Sequence, residues 1–182
     1  FALSGRGQGD IIGWLSGIPA VAGGDTSWLD RALPYELPSA VAAESNDMPD
    51  SGALAELERW YANAAGLLEE IATADPGPSD VRCWPHHFDI ATLITLAGAG
   101  EEATTIGAGM SPGDGSYPDP YLYVTPWPYP PADALPDLPT IGHWHTDGFV
   151  GAIVTAARIV EVPVRGFLHD AIAACRAVQV GS

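Results

Sequence analysis

Residues 88–95 read Phe-Asp-Ile-Ala-Thr-Leu-Ile-Thr, and this stretch decides the fold that the sequence predicts. A β-strand places successive side chains on opposite faces, so Phe88, Ile90 and Ile94 would share one face and Asp89 would lie on the other. Gly98-Ala99-Gly100 ends the run, and Ala103–Met110 is the expected hairpin partner. The stretch therefore predicts an antiparallel sheet.

Two further strands are expected downstream, at Tyr121–Thr125 and Ile141–Thr146, and a turn is expected at Ser111–Gly115. Residues 126–139 are rich in proline, which predicts an extended rigid loop and argues against a helix or an interior strand. Residues 149–160 fit a buried strand and a buried helix equally well.

Two helices are expected to pack on this sheet. After the capping residues Asp50 and Ser51, apolar side chains recur at helical spacing as far as Ile71, with Trp60 and Tyr61 on the apolar stripe as core residues. A second helical stripe runs through residues 163–178. Together these elements predict an α+β fold, an antiparallel β-sheet with a few packed helices in a single domain.

The N-terminal part of the chain has a weaker pattern. Short helices are expected at Ile11–Leu15 and Ser27–Leu33, and an extended connector at Leu33–Pro38. Residues 1–45 are therefore a poorly defined N-terminal segment, and residues 46–182 form the α+β domain. Because the chain begins with Phe1 instead of Met, it is expected to be either a processed chain or a fragment of a longer sequence.

The composition narrows the classes of function. The chain has 182 residues, 47% apolar and 16% charged, with a net charge of −16. That balance excludes wholesale disorder, and seven scattered Arg without any Lys argue against a nucleic-acid surface. No apolar run is long enough to span a membrane. Cys83 and Cys175 are expected to be free thiols in a bacterial cytoplasm, although a disulfide between them stays open.

Four of the five His lie in two short motifs, Trp84-Pro85-His86-His87-Phe88-Asp89 and Gly142-His143-Trp144-His145-Thr146-Asp147-Gly148-Phe149. On a strand, His143 and His145 share one face while Trp144 points to the other, and by the same rule His87 shares a face with Asp89. If the two strands are near each other, these side chains converge. Imidazoles with a carboxylate are the ligands of a divalent metal, zinc or iron.

The sequence thus favours a metal-dependent enzyme that activates water or a small-molecule substrate. His87, His143 and His145 would be ligands, Asp89 a ligand or an orienting group, and His86 or Asp147 the acid or base. Two alternatives remain: a metal-free module that binds a small molecule, and a structural subunit whose partner is another chain or an upstream segment. In the binding module, aromatic side chains would line the pocket: Trp84, Tyr121, Tyr123, Trp127 and Trp144. The aromatics of the proline-rich loop, Trp127 and Tyr129, either line that pocket or pack over the sheet.

Two more specific assignments, an oxygenase iron site and a serine nucleophile, fit the sequence less well. The order His87-x-Asp89, His145 and Arg158 imitates the two-His, one-carboxylate iron triad of oxygenases, but the chain has too few clear strands for a jelly roll. Ser111 lies in a Gly-x-Ser-x-Gly string, but Pro112 and Gly113 after it predict a turn where a nucleophile elbow needs a helix.

The motifs Val81–Ala91, Ser111–Asp114, Tyr121–Pro128 and Gly142–His145 resemble those of a family of uncharacterised bacterial proteins, over residues 35–178. The Phe-Asp-hydrophobic-Ala strand and the aromatic-Pro strand are similar, more distantly, to a larger domain-of-unknown-function family. The distant relatives lack the paired His, and neither resemblance implies an activity. Members of the family are longer at the N-terminus.

Overall fold

The chain divides into two compact units, residues 1–55 and 56–182, in a computed structural model of the protein. The structure describes residues 2, 4–18, 31, 50–74, 78–85, 87–139, 141–159 and 163–180.

In the first unit, helix α1 spans Gln8–Gly17 and contains the short helix predicted at Ile11–Leu15. The carboxylate of Asp10 accepts a hydrogen bond of 3.2 Å from the backbone N–H of Gly7, which caps the helix N-terminus. The helix predicted at Ser27–Leu33, apart from Arg31, and the connector at Leu33–Pro38 lie outside the described residues.

The long amphipathic helix is α2, Ser51–Ala74, and its prediction from the apolar stripe is confirmed. Oδ1 of Asp50 accepts a 2.9 Å hydrogen bond from the N–H of Ala53, the capping contact that the sequence suggested. On the stripe, Ala64 and Leu68 are fully buried, and Trp60 and Tyr61 pack against the same core.

The second unit is built on a six-stranded antiparallel sheet with the strand order β1-β2-β3-β4-β6-β5. The predicted α+β class is thereby confirmed. The strands are β1 Arg82–Trp84, β2 Asp89–Ala97, β3 Thr104–Ser111, β4 Tyr121–Trp127, β5 His143–His145 and β6 Gly151–Thr155. The one-turn helix α3, Ala156–Ile159, follows β6, and helix α4, Val164–Val180, follows α3.

The two faces of this sheet differ in chemistry. Side chains of alternate residues, such as Ile94, Ile106 and Val124, form the core with Leu68 of α2 and Phe167 of α4. The register pairs Ala91 with Gly109 and Gly109 with Tyr123, so these residues lie on the opposite face, called the open face below. Polar and aromatic residues of the open face include Asp89, Ser111, Tyr121, Tyr123, Thr125, His143 and His145.

The structure adds to the prediction or corrects it at three places. Strand β1 was not predicted, because its three residues are all exposed and show no buried alternation. Pro126 lies inside β4, although an interior strand was excluded there. The exclusion was wrong because β4 pairs with β6 only as far as Val124. On the β6 side of the strand, no ladder hydrogen bond requires an N–H at position 126, and proline has none to offer. Residues 149–160 contain both a strand and a helix, β6 and α3.

None of the helices in the described ranges is long and apolar enough to cross a membrane.

Candidate functional site

Tyr123 and Asp89 meet on the open face across strand β3. The Tyr123 hydroxyl donates a hydrogen bond to Oδ2 of Asp89, two strands away. The ring passes over Gly109, where a Cβ atom would lie 2.5 Å from both Cζ and the hydroxyl oxygen. A glycine at position 109 is therefore what lets the phenol reach the carboxylate. Burial, with the negative charge of Asp89 as the next cause, raises the pKa of Tyr123, which keeps the phenol protonated as a donor.

A second phenol–carboxylate pair lies beside the first. Tyr121 donates a 2.6 Å hydrogen bond to Oδ2 of Asp114, and its ring centroid is 6.2 Å from that of Tyr123. Oδ1 of Asp114 accepts from the backbone N–H groups of Ser116 and Tyr117, at 2.8 and 2.9 Å. Partial burial acts to raise the pKa of Asp114, but these hydrogen bonds outweigh it and hold the pKa below its ordinary value. The loop after β3 is thus fixed around an ionised carboxylate.

These pairs form the wall of a cavity of about 460 Å³ on the open face. That volume is within the roughly 300–1,000 Å³ that is typical of small-molecule sites. Carboxylates, phenols and one imidazole converge on the same space. The polar and aromatic lining comprises His87, Asp89, Ser111, Asp114, Ser116, Tyr121, Tyr123, Thr125, Tyr129, Asp147 and Phe149.

The paired His of β5 meet at a third phenol. His143 Nε2 is 2.7 Å and His145 Nδ1 is 3.0 Å from the hydroxyl oxygen of Tyr117. The other nitrogen of His145 is hydrogen-bonded to the backbone carbonyl of Asp147, and its ring stacks on Phe149 with centroids 4.3 Å apart. The prediction that His143 and His145 share a face, with Trp144 on the other, is confirmed.

The hydrogen-bond partners fix the protons of this group. A carbonyl only accepts, so Nε2 of His145 carries a hydrogen, and in the neutral ring Nδ1 accepts from the Tyr117 hydroxyl. The Tyr117 oxygen then accepts from Nε2–H of His143. Partial burial, with His145 as a second cause, lowers the pKa of His143, which favours this neutral arrangement.

The structure does not bring the predicted metal ligands to one point. Strands β3, β4 and β6 separate Asp89 on β2 from the His pair on β5, and four strand spacings of about 4.8 Å place them about 19 Å apart along the sheet. His87 lies in the turn before β2, not on the strand, although it lines the cavity together with Asp89. Within the described residues, no group of three or more His, Cys, Asp or Glu side chains is arranged to hold a metal ion. The expected convergence was wrong because β6 inserts between β4 and β5.

The two residues predicted as acid or base have different outcomes. Asp147 lines the cavity with an exposed side chain, and its backbone carbonyl binds His145. His86 lies outside the described residues.

The aromatic side chains predicted for a ligand pocket separate into two groups. Tyr121 and Tyr123 line the cavity, as expected. Trp84 and Trp127 are exposed and are not among its lining residues, but Tyr129, whose ring meets that of Trp127 edge-on at 5.0 Å, is. Trp144 is not among the lining residues of this cavity: it packs against the core on the opposite face, its Nε1 donates to the carbonyl of Pro136 at 2.7 Å, and it lines a separate cavity with His143.

Sequence reasoning missed several residues of the site. Tyr117 is hydrogen-bonded to both imidazoles, but nothing in the sequence except its place after a turn indicated a role in the site. Asp114 was assigned only to that turn, whereas its side chain also holds Tyr121. Gly109 was the signal that could have been found, because a glycine between strand residues indicates a close approach by another group.

Comparison of the chain with protein-family models, with curated proteins and with solved structures found no match. The resemblance to a bacterial protein family stays a prediction.

Proposed function

We propose that this protein binds a small organic molecule in the open-face pocket, the cavity between β2, β4 and the loops that carry Asp114 and Asp147. The observation that carries the proposal is the convergence of Asp89, Asp114 and the phenols of Tyr121 and Tyr123 on one space of about 460 Å³. Hydrogen bonds fix both phenols before a ligand arrives, which lowers the entropy lost on binding.

The experiment is a fragment screen followed by amide chemical shifts of the ¹⁵N-labelled protein. Gly115 lines the pocket, and a Cβ atom there would meet nothing within 4 Å, so alanine fits at this position. Bound fragments are expected to shift amides of residues 111–116 and 147–149. Gly115→Trp should abolish these shifts by filling the pocket, and Gly115→Ala should preserve them. A screen without any pocket-specific hit would overturn the proposal.

The metal-dependent enzyme predicted from the sequence is a second candidate, favoured by the closeness of His143 and His145. For these rings to bind zinc or iron, both would have to give up the Tyr117 hydroxyl, and further ligands would have to come from elsewhere. Elemental analysis of the purified protein tests it. Stoichiometric metal that is lost in a His143→Ala, His145→Ala double variant would support this candidate, and metal-free protein would remove it.

We also propose a cytoplasmic location. Cys83 and Cys175 are both free thiols, and reducing compartments keep thiols free. Burial raises the pKa of the Cys175 thiol to about 12, which makes it unreactive towards oxidants.

A further inference from the structure

The ionisable side chains that line the open-face pocket are mostly acidic. Three carboxylates, Asp89, Asp114 and Asp147, line it, and no Arg does. The chain has no Lys, and His87 carries the one basic side chain among the described residues that line the pocket. His87 lies close enough to Asp114 to lower its pKa, whereas Arg59, Arg82 and Arg165 form ion pairs with carboxylates outside the pocket. The potential inside the pocket is therefore negative.

Of the two pocket carboxylates that hold a tyrosine hydroxyl, Asp89 accepts fewer hydrogen bonds than Asp114. Its Oδ2 accepts the Tyr123 hydrogen bond, but its Oδ1 is buried and has no hydrogen-bond partner among the described residues. Asp114, in contrast, accepts three hydrogen bonds. A buried carboxylate oxygen without a partner carries a desolvation cost that a nearby positive charge offsets. This unpartnered oxygen is an observation separate from the number of acidic residues, and a positive charge near Asp89 would offset its desolvation cost.

The other walls of the pocket are aromatic. Tyr121, Tyr123, Tyr129 and Phe149 supply ring faces and edges around the carboxylates. The negative face of an aromatic ring attracts a cation whose charge is spread over an organic group. The three carboxylates come from three separate segments and do not converge as metal ligands do. Aromatic walls and dispersed carboxylates together suit an organic cation better than a bare metal ion.

We propose that the ligand of the open-face pocket is a small organic cation, an amine or a quaternary ammonium compound, with its charge near Asp89 and its apolar groups against the tyrosine rings. This inference rests on the proposed function and narrows it to one class of ligand. Neutral fragments of the same size would have the same aromatic contacts but would leave Asp89 uncompensated.

The test compares two probes of the same shape, choline and its neutral isostere 3,3-dimethylbutan-1-ol, by titration of the ¹⁵N-labelled protein at low ionic strength. Choline is expected to shift the pocket amides and to bind about tenfold more tightly than the alcohol. Gly115→Trp should abolish the shifts. Equal affinity for the two probes, or choline shifts that persist in Gly115→Trp, would overturn the inference.

Variants that each remove one negative charge test where in the pocket the cation binds. Asp89→Asn should weaken choline binding about tenfold, a larger factor than its effect on binding of the alcohol. Asp119→Asn is the matched control, because Asp119 is exposed, does not line the pocket and changes the net charge by the same amount. If Asp89→Asn does not fold, the exposed Asp147→Asn serves in its place, with a smaller loss expected. Equal effects of the pocket variant and the control would show a general charge effect and contradict the assignment.

The outcomes separate the two proposals. If neutral fragments bind in the pocket and choline does not, the cation inference fails and the small-molecule site stands. If neither the fragments nor the probes shift pocket amides, both fail.

Discussion

The hydroxyl of Tyr123 reaches Oδ2 of Asp89 across an intervening strand, and the glycine at position 109 provides the space for it. The pocket wall therefore depends on a position that has no side chain of its own.

Replacing Gly109 with alanine tests this dependence. The added Cβ would lie 2.5 Å from the Tyr123 ring and 2.8 Å from the carbonyl oxygen of Ile90, so the phenol must move. We expect Gly109→Ala to lower the free energy of unfolding by about 1–3 kcal/mol, as overpacking does, and to break the Tyr123–Asp89 hydrogen bond. Urea denaturation measures the first effect and the chemical shift of the Tyr123 ring the second. Gly115→Ala is the control, with no change expected. Wild-type stability in Gly109→Ala would contradict the argument.

The Tyr117 hydroxyl is hydrogen-bonded to two imidazoles, so its removal should lower the free energy of unfolding. Tyr117→Phe leaves Nε2–H of His143 without its acceptor and Nδ1 of His145 without its donor. We expect a loss of about 1–2 kcal/mol in the free energy of unfolding. Tyr129→Phe removes a hydroxyl from an exposed ring and should change stability by less than about 0.5 kcal/mol. Equal effects of the two variants would mean that the Tyr117 hydrogen bonds contribute nothing.

The neutral state of His143 predicts a pH dependence. The pKa of His143 is lower in the folded than in the unfolded protein. At a pH between these two pKa values, the unfolded protein binds a proton at His143 that the folded protein does not, so folding releases it. Its contribution to stability is complete above the unfolded pKa, about 6.5, and is lost as the pH falls through the folded pKa. Denaturation at pH 7.5 and 5.5 should therefore show a smaller loss for His143→Gln than for the wild type.

His169 provides the control for this pH experiment, because it is an exposed imidazole on α4, distant from Tyr117 in sequence. His169→Gln should retain the wild-type loss of stability between the two pH values. If the wild type and both variants have the same pH dependence, His143 is not the responsible group.

The left-handed backbone of Phe88 makes a separate prediction. Phe88 has a φ of +56°, and its N–H donates to the carbonyl of Trp84 at 2.7 Å to close the turn between β1 and β2. A residue with a Cβ is strained in this conformation, whereas glycine is not. We expect Phe88→Gly to be more stable than Phe88→Ala by about 0.5–1 kcal/mol. At Gly66, which is exposed in α2, Gly66→Ala should instead stabilise the protein by about 0.5–1 kcal/mol. If glycine were the more stable residue at both positions, or alanine at both, the explanation by left-handed backbone strain would be contradicted.

The sequence predicted the local structure of the core well. Strand β2 and helices α2 and α4 each bury mainly one face, and periodicity reports such burial directly. Strand β1 escaped prediction because all three of its residues are exposed. Pro126 misled the prediction of β4, because the position where pairing with β6 ends is a property of the partner strand.

The site was harder to predict than the fold. The shared face of His143 and His145 follows from alternation, and it was correct. The separation of Asp89 from these His depends on the order of strands in the sheet, which periodicity does not contain. Tyr117 reaches the His pair from a loop whose shape is set by hydrogen bonds to Asp114, and no pattern of apolar residues reports such a loop.

The short outer strands also have a consequence for self-association. β1 and β5 form the two borders of the sheet, and each offers only three residues of backbone to a strand from another molecule. Borders this short are poor templates for amyloid-like growth. Copies that each carry a net charge of −16 also repel one another at neutral pH. We expect concentrated solutions of this protein to resist fibril formation, and added salt, which screens that repulsion, to weaken the resistance.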